Sequence, residues 1–352
     1  MEYYSIERIL KCKATMNILL GQRSNGKSFS VKRECVQEAF LGMGDLIYLR
    51  RWSLETKNDD VTDYFADCPV KDITGGQYDL ITVYRSRIYL ANNNDGDIKR
   101  GPCIGRTAAL TAAPHLKSVI ERGKYKNIIY EEFCTDGGYL PNEPDKLQQF
   151  IATVFGVQYS GRVWLIGNTV SRVNPYFSKW NLGKTKDLKP GQIDQYLFKS
   201  EDGSEVSIAV EFCSSIEVPS GMFFGNVAKN ITTGVWETEE EPQIPEEFKP
   251  FKVVYSVGIR HTDFYFILKA IKNKLNEYLI LCAPAEEEDY KRVKRKLSDT
   301  ISGDPLETAK LITLTAGDKL MSELFRRGKL VYANNLTGAD FKAILKDRGG
   351  IL

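Results

Sequence analysis

The feature that most constrains this chain is an apolar run, Met16 to Leu20, that stops at Gly21 and leads straight into Gln22-Arg23-Ser24-Asn25-Gly26-Lys27-Ser28. A short apolar run flush against glycine predicts a buried parallel strand. Phe29, Val31, Cys35, Val36, Ala39 and Phe40 then mark one helical face, closed by Gly42. Gly21 to Ser28 thus fits G-x-x-x-x-G-K-[ST] in the strand, turn and helix setting that phosphate binding requires. Backbone N–H groups at such a turn wrap an anionic phosphate chain. Lys27 is expected to reach the β- and γ-phosphates of ATP, and Ser28 to ligate Mg2+. Arg23 is a candidate contact to nucleotide or to a neighbouring subunit; a solvent-facing arginine is the plainer reading.

A partner for this loop lies about a hundred residues on. Ile128-Ile129-Tyr130 reads as a buried strand that delivers Glu131 and Glu132 at its carboxyl end. Glu131 is expected to hold Mg2+, and Glu132 to polarise the attacking water as general base. An acidic turn at a strand end is the bland alternative. A further buried strand within residues 161–177 ends at Gly167-Asn168-Thr169, which makes Asn168 a candidate γ-phosphate sensor. For a charge-stabilising finger the candidates are Arg122, Lys124, Arg162 and Arg172, with no spacing to choose among them.

Between these motifs, residues 44–52 read as a second strand with a basic end. Residues 78–110 read as hairpin strands around an Asn/Gly-rich turn, and residues 144–156 as a helix. Strands alternating with helices predict a parallel sheet with its ligands at the carboxyl edge. The expected organisation is an α/β core over 1–180, a stretch of looser composition and alternating strands over 181–236, an acidic linker over 237–250, and a smaller α+β domain over 251–352. The linker carries six Glu, three Pro and no basic residue before Lys249, the signature of a solvated tether. In the last domain three hairpin-like strands should precede helices over 286–301, 318–330 and 337–347.

Bulk numbers exclude several classes. The seven cysteines show no C-x-x-C spacing and the two histidines, His115 and His261, are far apart, which argues against a disulfide framework, a zinc site or histidine chemistry. No apolar run approaches the roughly 20 residues of a membrane helix, so a cytosolic protein without a membrane partner is expected. Net charge is only +2, yet residues 251–352 carry 18 basic against 13 acidic side chains. A near-neutral total still permits a locally basic nucleic-acid channel.

These residues resemble, in order, the DNA-packaging (encapsidation) ATPases of small, short-tailed, protein-primed phages. The likeness runs over roughly residues 15–180: the loop G-x-R-x-x-G-K-S, "YLRRWSLETKNDDVTDYF", the strand ending in "EEF", then "TVF" and "LIGNTVSRVNPYF". It implies a P-loop NTPase core of the additional-strand type with a lid subdomain, which falls on 181–236. It also implies a C-terminal domain with a degenerate, RNase H-like nuclease fold that docks to the capsid or to a structural RNA. The implied activity is ATP hydrolysis driving double-stranded DNA into a prohead, by a homo-oligomeric ring, proposed pentameric, attached transiently to the portal vertex in the host cytoplasm. Residue by residue, the resemblance carries Gly21, Arg23, Gly26, Lys27 and Ser28 to the loop, Glu131 and Glu132 to the acidic pair, and Asn168 to the sensor. There are two departures. Glu131 stands where the family has Asp, and Gly156 stands where it has an arginine taken as the trans-acting finger; Arg122 and Lys124 are the substitutes first in line.

DNA contact in such a motor is electrostatic and independent of sequence. Arg50, Arg51 and Lys57 at strand ends, and Lys99 and Arg100 in the hairpin region, are the candidate pore residues, against the plain alternative of solvated surface charges. A working nuclease needs three or four converging carboxylates. Asp263, on an early strand, is a lone candidate with Glu277 poorly placed, and Glu286 to Asp289 read as an acidic helix start, so nuclease activity is not expected. The basic run 290–297 is expected to bind RNA, DNA or capsid instead. A P-loop small-molecule kinase and a nucleotide-dependent RNA- or capsid-binding scaffold remain the competing functions.

Overall fold

In a computed structural model the described residues are 4–116, 120–121, 123–135, 138–156, 161–169, 171–199, 205–214, 236, 240–298 and 315–347. They form two compact units: residues 1–170 with 184–236, and residues 171–183 with 237–352.

The first unit is built on a nine-stranded sheet. Its strands are β1 (Met16–Leu20), β2 (Asp45–Arg50), β3 (Leu80–Tyr84), β4 (Arg87–Asn94), β5 (Asp97–Ala109), β6 (Tyr125–Glu131), β7 (Arg162–Ile166), β8 (Gln192–Lys199) and β9 (Glu205–Phe212), in the order β3-β4-β5-β2-β6-β7-β1-β9-β8. The run β5-β2-β6-β7-β1-β9 is parallel. An antiparallel hairpin finishes each edge. All five residues of β1 are buried, as expected of a strand covered on both faces. Val31, Cys35, Val36 and Ala39 of the helix Lys27–Phe40 pack with Leu19, Tyr48, Ile129 and Trp164 on one face. Tyr130 points to the opposite face by the two-residue period of a strand, and its hydroxyl reaches Glu143 at the start of the helix Glu143–Phe155.

This topology places β7 between the loop strand and the acidic strand. Ile166 is level with both Leu19 and Glu131, so the register sets the acid beside the loop.

Two expectations about organisation change. Residues 192–199 and 205–212, placed by the resemblance in a separate lid, supply β8 and β9 to the main sheet, and β9 pairs with all five residues of β1. Alternating "SEVSIAVEF" meets an open edge of β1 there, and pairing satisfies it. Residues 171–183, including the "VNPYF" turn, belong to the second unit, where Val173 joins the core.

The second unit carries a five-stranded sheet of β10 (Lys252–His261), β11 (Phe264–Lys272), β12 (Tyr278–Pro284), β13 (Arg295–Ser298) and β14 (Leu330–Tyr332), in the order β13-β10-β11-β12-β14. The helices Ala316–Arg326 and Asn335–Asp347 cover one face through Met321, Leu324, Phe341 and Ile344. The basic run 290–297 is not one helix: it ends the helix Glu287–Arg292 and then forms β13, parallel to β10. Nor is the acidic stretch a free tether from residue 240 on. Glu241 is buried and pairs with Lys342 at 2.7 Å, Phe248 is buried, and the Tyr332 N–H donates to the Pro242 carbonyl.

Candidate nucleotide site

Gly21 leaves β1 with φ +145° and Gly26 enters the helix with φ +96°, conformations that side chains resist. Between them Ser24 is also left-handed, at φ +58°. The loop therefore curls back over the helix N-terminus. Lys27 is buried inside it, its Nζ donating to the carbonyls of Gly21 (3.3 Å) and Gln22 (2.5 Å) and to Asn25 Oδ1 (3.2 Å). Burial pulls its ammonium pKa down, while Cys213 and Glu131 act in the opposite sense. Asn25 fastens the loop further, donating from Nδ2 to the Ser214 carbonyl beyond β9.

A cavity of about 620 Å³ opens above the loop. Arg23 to Phe29 line it from one side, Glu131 and Glu132 from another, and Ile166 to Asn168 from the end of β7. Six of the eight expected loop residues, the acidic pair and the expected sensor thus meet in one place. Gln22 is buried beneath the loop and contributes its carbonyl to Lys27.

The two acids have opposite environments. Glu131 Oε1 accepts from Ser28 Oγ at 2.7 Å, and Oε2 accepts from the Tyr64 hydroxyl at 2.8 Å. Burial raises its pKa, opposed by those two hydrogen bonds. Glu132 lies one residue past the strand, with φ +55° and a side chain 58% exposed. A left-handed glutamate costs about 1–2 kcal/mol, but the turn sends its carboxylate towards the cavity. There Arg50 pairs with it at 2.6 Å and with Glu55 at 3.0 Å.

Ser28 and Glu131 suit a magnesium ion, since hard oxygen donors from the loop and the acidic strand already touch at the cavity wall.

Several expected roles do not fit this geometry. Arg51 is buried: its Nε donates to Glu143 at 2.8 Å, and its terminal nitrogens donate to the carbonyls of Glu132 and Phe133. It has no charge to offer a pore. Arg50 is held by Glu132 and Glu55 at the cavity. Lys57, Lys99 and Arg100 are exposed, with the Arg100 guanidinium 4.2 Å from the Tyr84 ring centroid. Among finger candidates, Lys124 pairs with Asp45 at 3.4 Å and Arg162 with Glu34 and Glu38. They stand at the amino ends of β6 and β7, at the sheet edge opposite the loop. Arg172 pairs with Asp340 in the second unit, and Arg122 lies outside the described residues.

Sequence reasoning missed Tyr64, Asp67 and Glu143. Tyr64 ends the short helix Asn58–Tyr64, and Lys32 lies over its ring at 4.3 Å while pairing with Asp67, which lines the cavity. Nothing local in "NDDVTDYF" announces a partner for an acid 67 residues away.

The chain is similar to known proteins along this same stretch. It is 28% identical over 170 residues to the DNA packaging protein of Bacillus phage B103, covering 47% of this chain and 48% of that protein. It is 27% identical over 212 residues to the DNA packaging protein of Bacillus phage phi29, covering 58% of each. The chain thus spans about half the length of the curated relatives it matches. In fold it is similar to a chain of the bacteriophage phi29 viral genome packaging motor assembly, with a TM-score of 0.54 at 19% identity over 99% of this chain and 98% of that one. The model of the Podovirus DNA encapsidation protein (Gp16) family matches residues 1–189, more than half of the sequence, and this chain belongs to that family.

Proposed function

We propose that the protein is an ATP-driven double-stranded DNA translocase that packages a viral genome into a prohead. One observation carries the reading: the phosphate loop, the acidic pair and the β7 terminus wall a single cavity, with the metal-type donors Ser28 and Glu131 in contact. The relatives' description as DNA packaging proteins supports the choice of substrate.

In this reading the loop N–H groups and the helix N-terminus bind the ATP phosphates. Lys27 exchanges its carbonyl partners for phosphate oxygens, a move made easier because those partners are neutral. Ser28 and Glu131 would hold Mg2+, which would neutralise charge developing on the phosphates. Glu132 takes the proton of the attacking water once its carboxylate is free of Arg50, and Asn168 contacts the γ-phosphate. A homo-oligomeric ring at the portal vertex, pentameric as in the resemblance, would supply a trans-acting cation to each site. Lys57, Lys99 and Arg100 are the proposed DNA contacts. The second unit is proposed as the docking domain for prohead or structural RNA; its nuclease-like ancestry is a reading of the resemblance. Asp263 and Glu277 flank opposite ends of β11, a nine-residue strand of roughly 30 Å, so they do not converge on a metal pair.

The test is steady-state ATPase activity with and without long double-stranded DNA and proheads. Stimulation is expected in the wild type and its loss in Lys27→Ala. Hydrolysis indifferent to DNA would move the assignment to a small-substrate enzyme, and ATP binding without hydrolysis to a scaffold.

A further inference from the structure

The neighbouring arginines at the end of β2 divide their work on Glu132. Arg50 holds its side chain, and Arg51 holds its backbone. The Arg51 guanidinium donates to two successive carbonyls, Glu132 at 3.2 Å and Phe133 at 2.8 Å, the first two after the left-handed N–Cα bond of Glu132 at φ +55°. Downstream the Phe133 N–H reaches the Ile166 carbonyl at 3.3 Å, and the Phe133 ring is fully buried.

Arg51 is itself fixed. Its Nε meets Glu143 Oε2 at 2.8 Å. The Leu140 N–H donates to that same oxygen and the Tyr130 hydroxyl to Oε1, each at 2.7 Å. Glu143 has no exposed surface and Arg51 is 5% exposed. A buried ion pair is a poor way to gain stability, because desolvation offsets most of the attraction. Apolar side chains would fill the space as well, but they have no donors for the carbonyls of a left-handed turn. Strained backbone persists only where its surroundings over-determine it.

We propose that Arg51, locked by Glu143, is a positioning residue for Glu132: it holds the carbonyls of the turn so that the carboxylate faces the cavity. The proposal rests on the reading of Glu132 as general base. It assigns the basic strand end, which in sequence resembles a DNA contact, to the chemistry of hydrolysis.

The experiment is a double-mutant cycle on the full-length protein with Arg51→Lys, Glu132→Gln and the combined variant. It measures kcat and the affinity for a fluorescent ATP analogue with Mg2+. Lysine keeps the charge but loses the fork that spans both carbonyls and Glu143. Arg51→Lys is expected to lower kcat at least tenfold with nucleotide affinity unchanged within twofold. In the Glu132→Gln background the same change is expected to cost less than twofold, because its only target is already gone. A full loss repeated in that background, or an unaltered kcat in the single variant, overturns the proposal. If Arg51→Lys does not fold, Glu143→Gln is read in the same way; if neither folds, the pair is structural and the proposal falls. If Glu132→Gln alone hydrolyses ATP like the wild type, the general-base premise fails first, an outcome seen without any Arg51 variant.

Discussion

The two units use similar materials to opposite effect. In the first, six parallel strands run side by side, so their carboxyl ends and the loops that follow share one edge. Gly21, Glu131 and Gly167 leave β1, β6 and β7 at one level because Ile166 is in register with both Leu19 and Glu131. In the second, β10, β11 and β12 form an antiparallel meander whose turns alternate between the two ends. Asp263 and Glu277 are therefore separated by the length of β11. Parallel topology concentrates polar strand ends into a site, while a meander divides them between its two ends.

The contrast can be broken most forcefully at the loop. Lys27→Ala should abolish measurable ATP hydrolysis and weaken Mg2+–ATP binding at least tenfold, read by fluorescence titration. Retained turnover would mean that the cavity is not where ATP binds. Arg50→Ala should come next. It frees the Glu132 carboxylate but leaves it unsteered, so kcat should fall about tenfold while the affinity for ATP holds. Replacing Lys57, Lys99 and Arg100 by alanine should lower the salt slope of DNA binding by about 0.9 for each phosphate that is no longer neutralised. Basal hydrolysis should stay within twofold. Smallest of all, Asp263→Asn should alter neither hydrolysis nor DNA integrity; a change in either would give the meander a catalytic role.

A stability measurement sharpens the same comparison through pH. Burial raises the Glu131 pKa, so its folded pKa lies above its unfolded value. Ionising it opposes folding, and the penalty appears as pH rises through the carboxylate range. Without nucleotide or metal, Glu131→Gln should melt at a higher temperature than the wild type at pH 8. The difference should shrink as pH falls towards 4. An equal difference at both values would mean that the carboxylate is not the source.

Much of the site was legible because it is local. The strand, loop and helix of residues 16–40 are contiguous, and Glu131-Glu132 announce themselves at the end of an apolar run. What was hidden depends on pairing across the fold. The double arginine looks basic in sequence, yet β2 lies beside β6, which turns Arg50 to one acid and Arg51 to the turn that carries it. Residues 295–298 carry the charge density of an exposed helix but complete the edge of β10, a case of tertiary context overriding local preference. Glu241 reads as part of a solvated acidic run, and only the fold brings Lys342 to it. Tyr64 is the same lesson at the site itself, since its hydroxyl finds Glu131 only once β2 and β6 are paired.

The most direct test of the central claim is hydrolysis by Glu132→Gln, with its affinity for Mg2+–ATP measured in parallel. The account predicts a fall in kcat of about 10²–10⁴-fold, the usual worth of a general base, at unchanged affinity. Turnover equal to that of the wild type would contradict it, and would remove the acidic strand end from the chemistry.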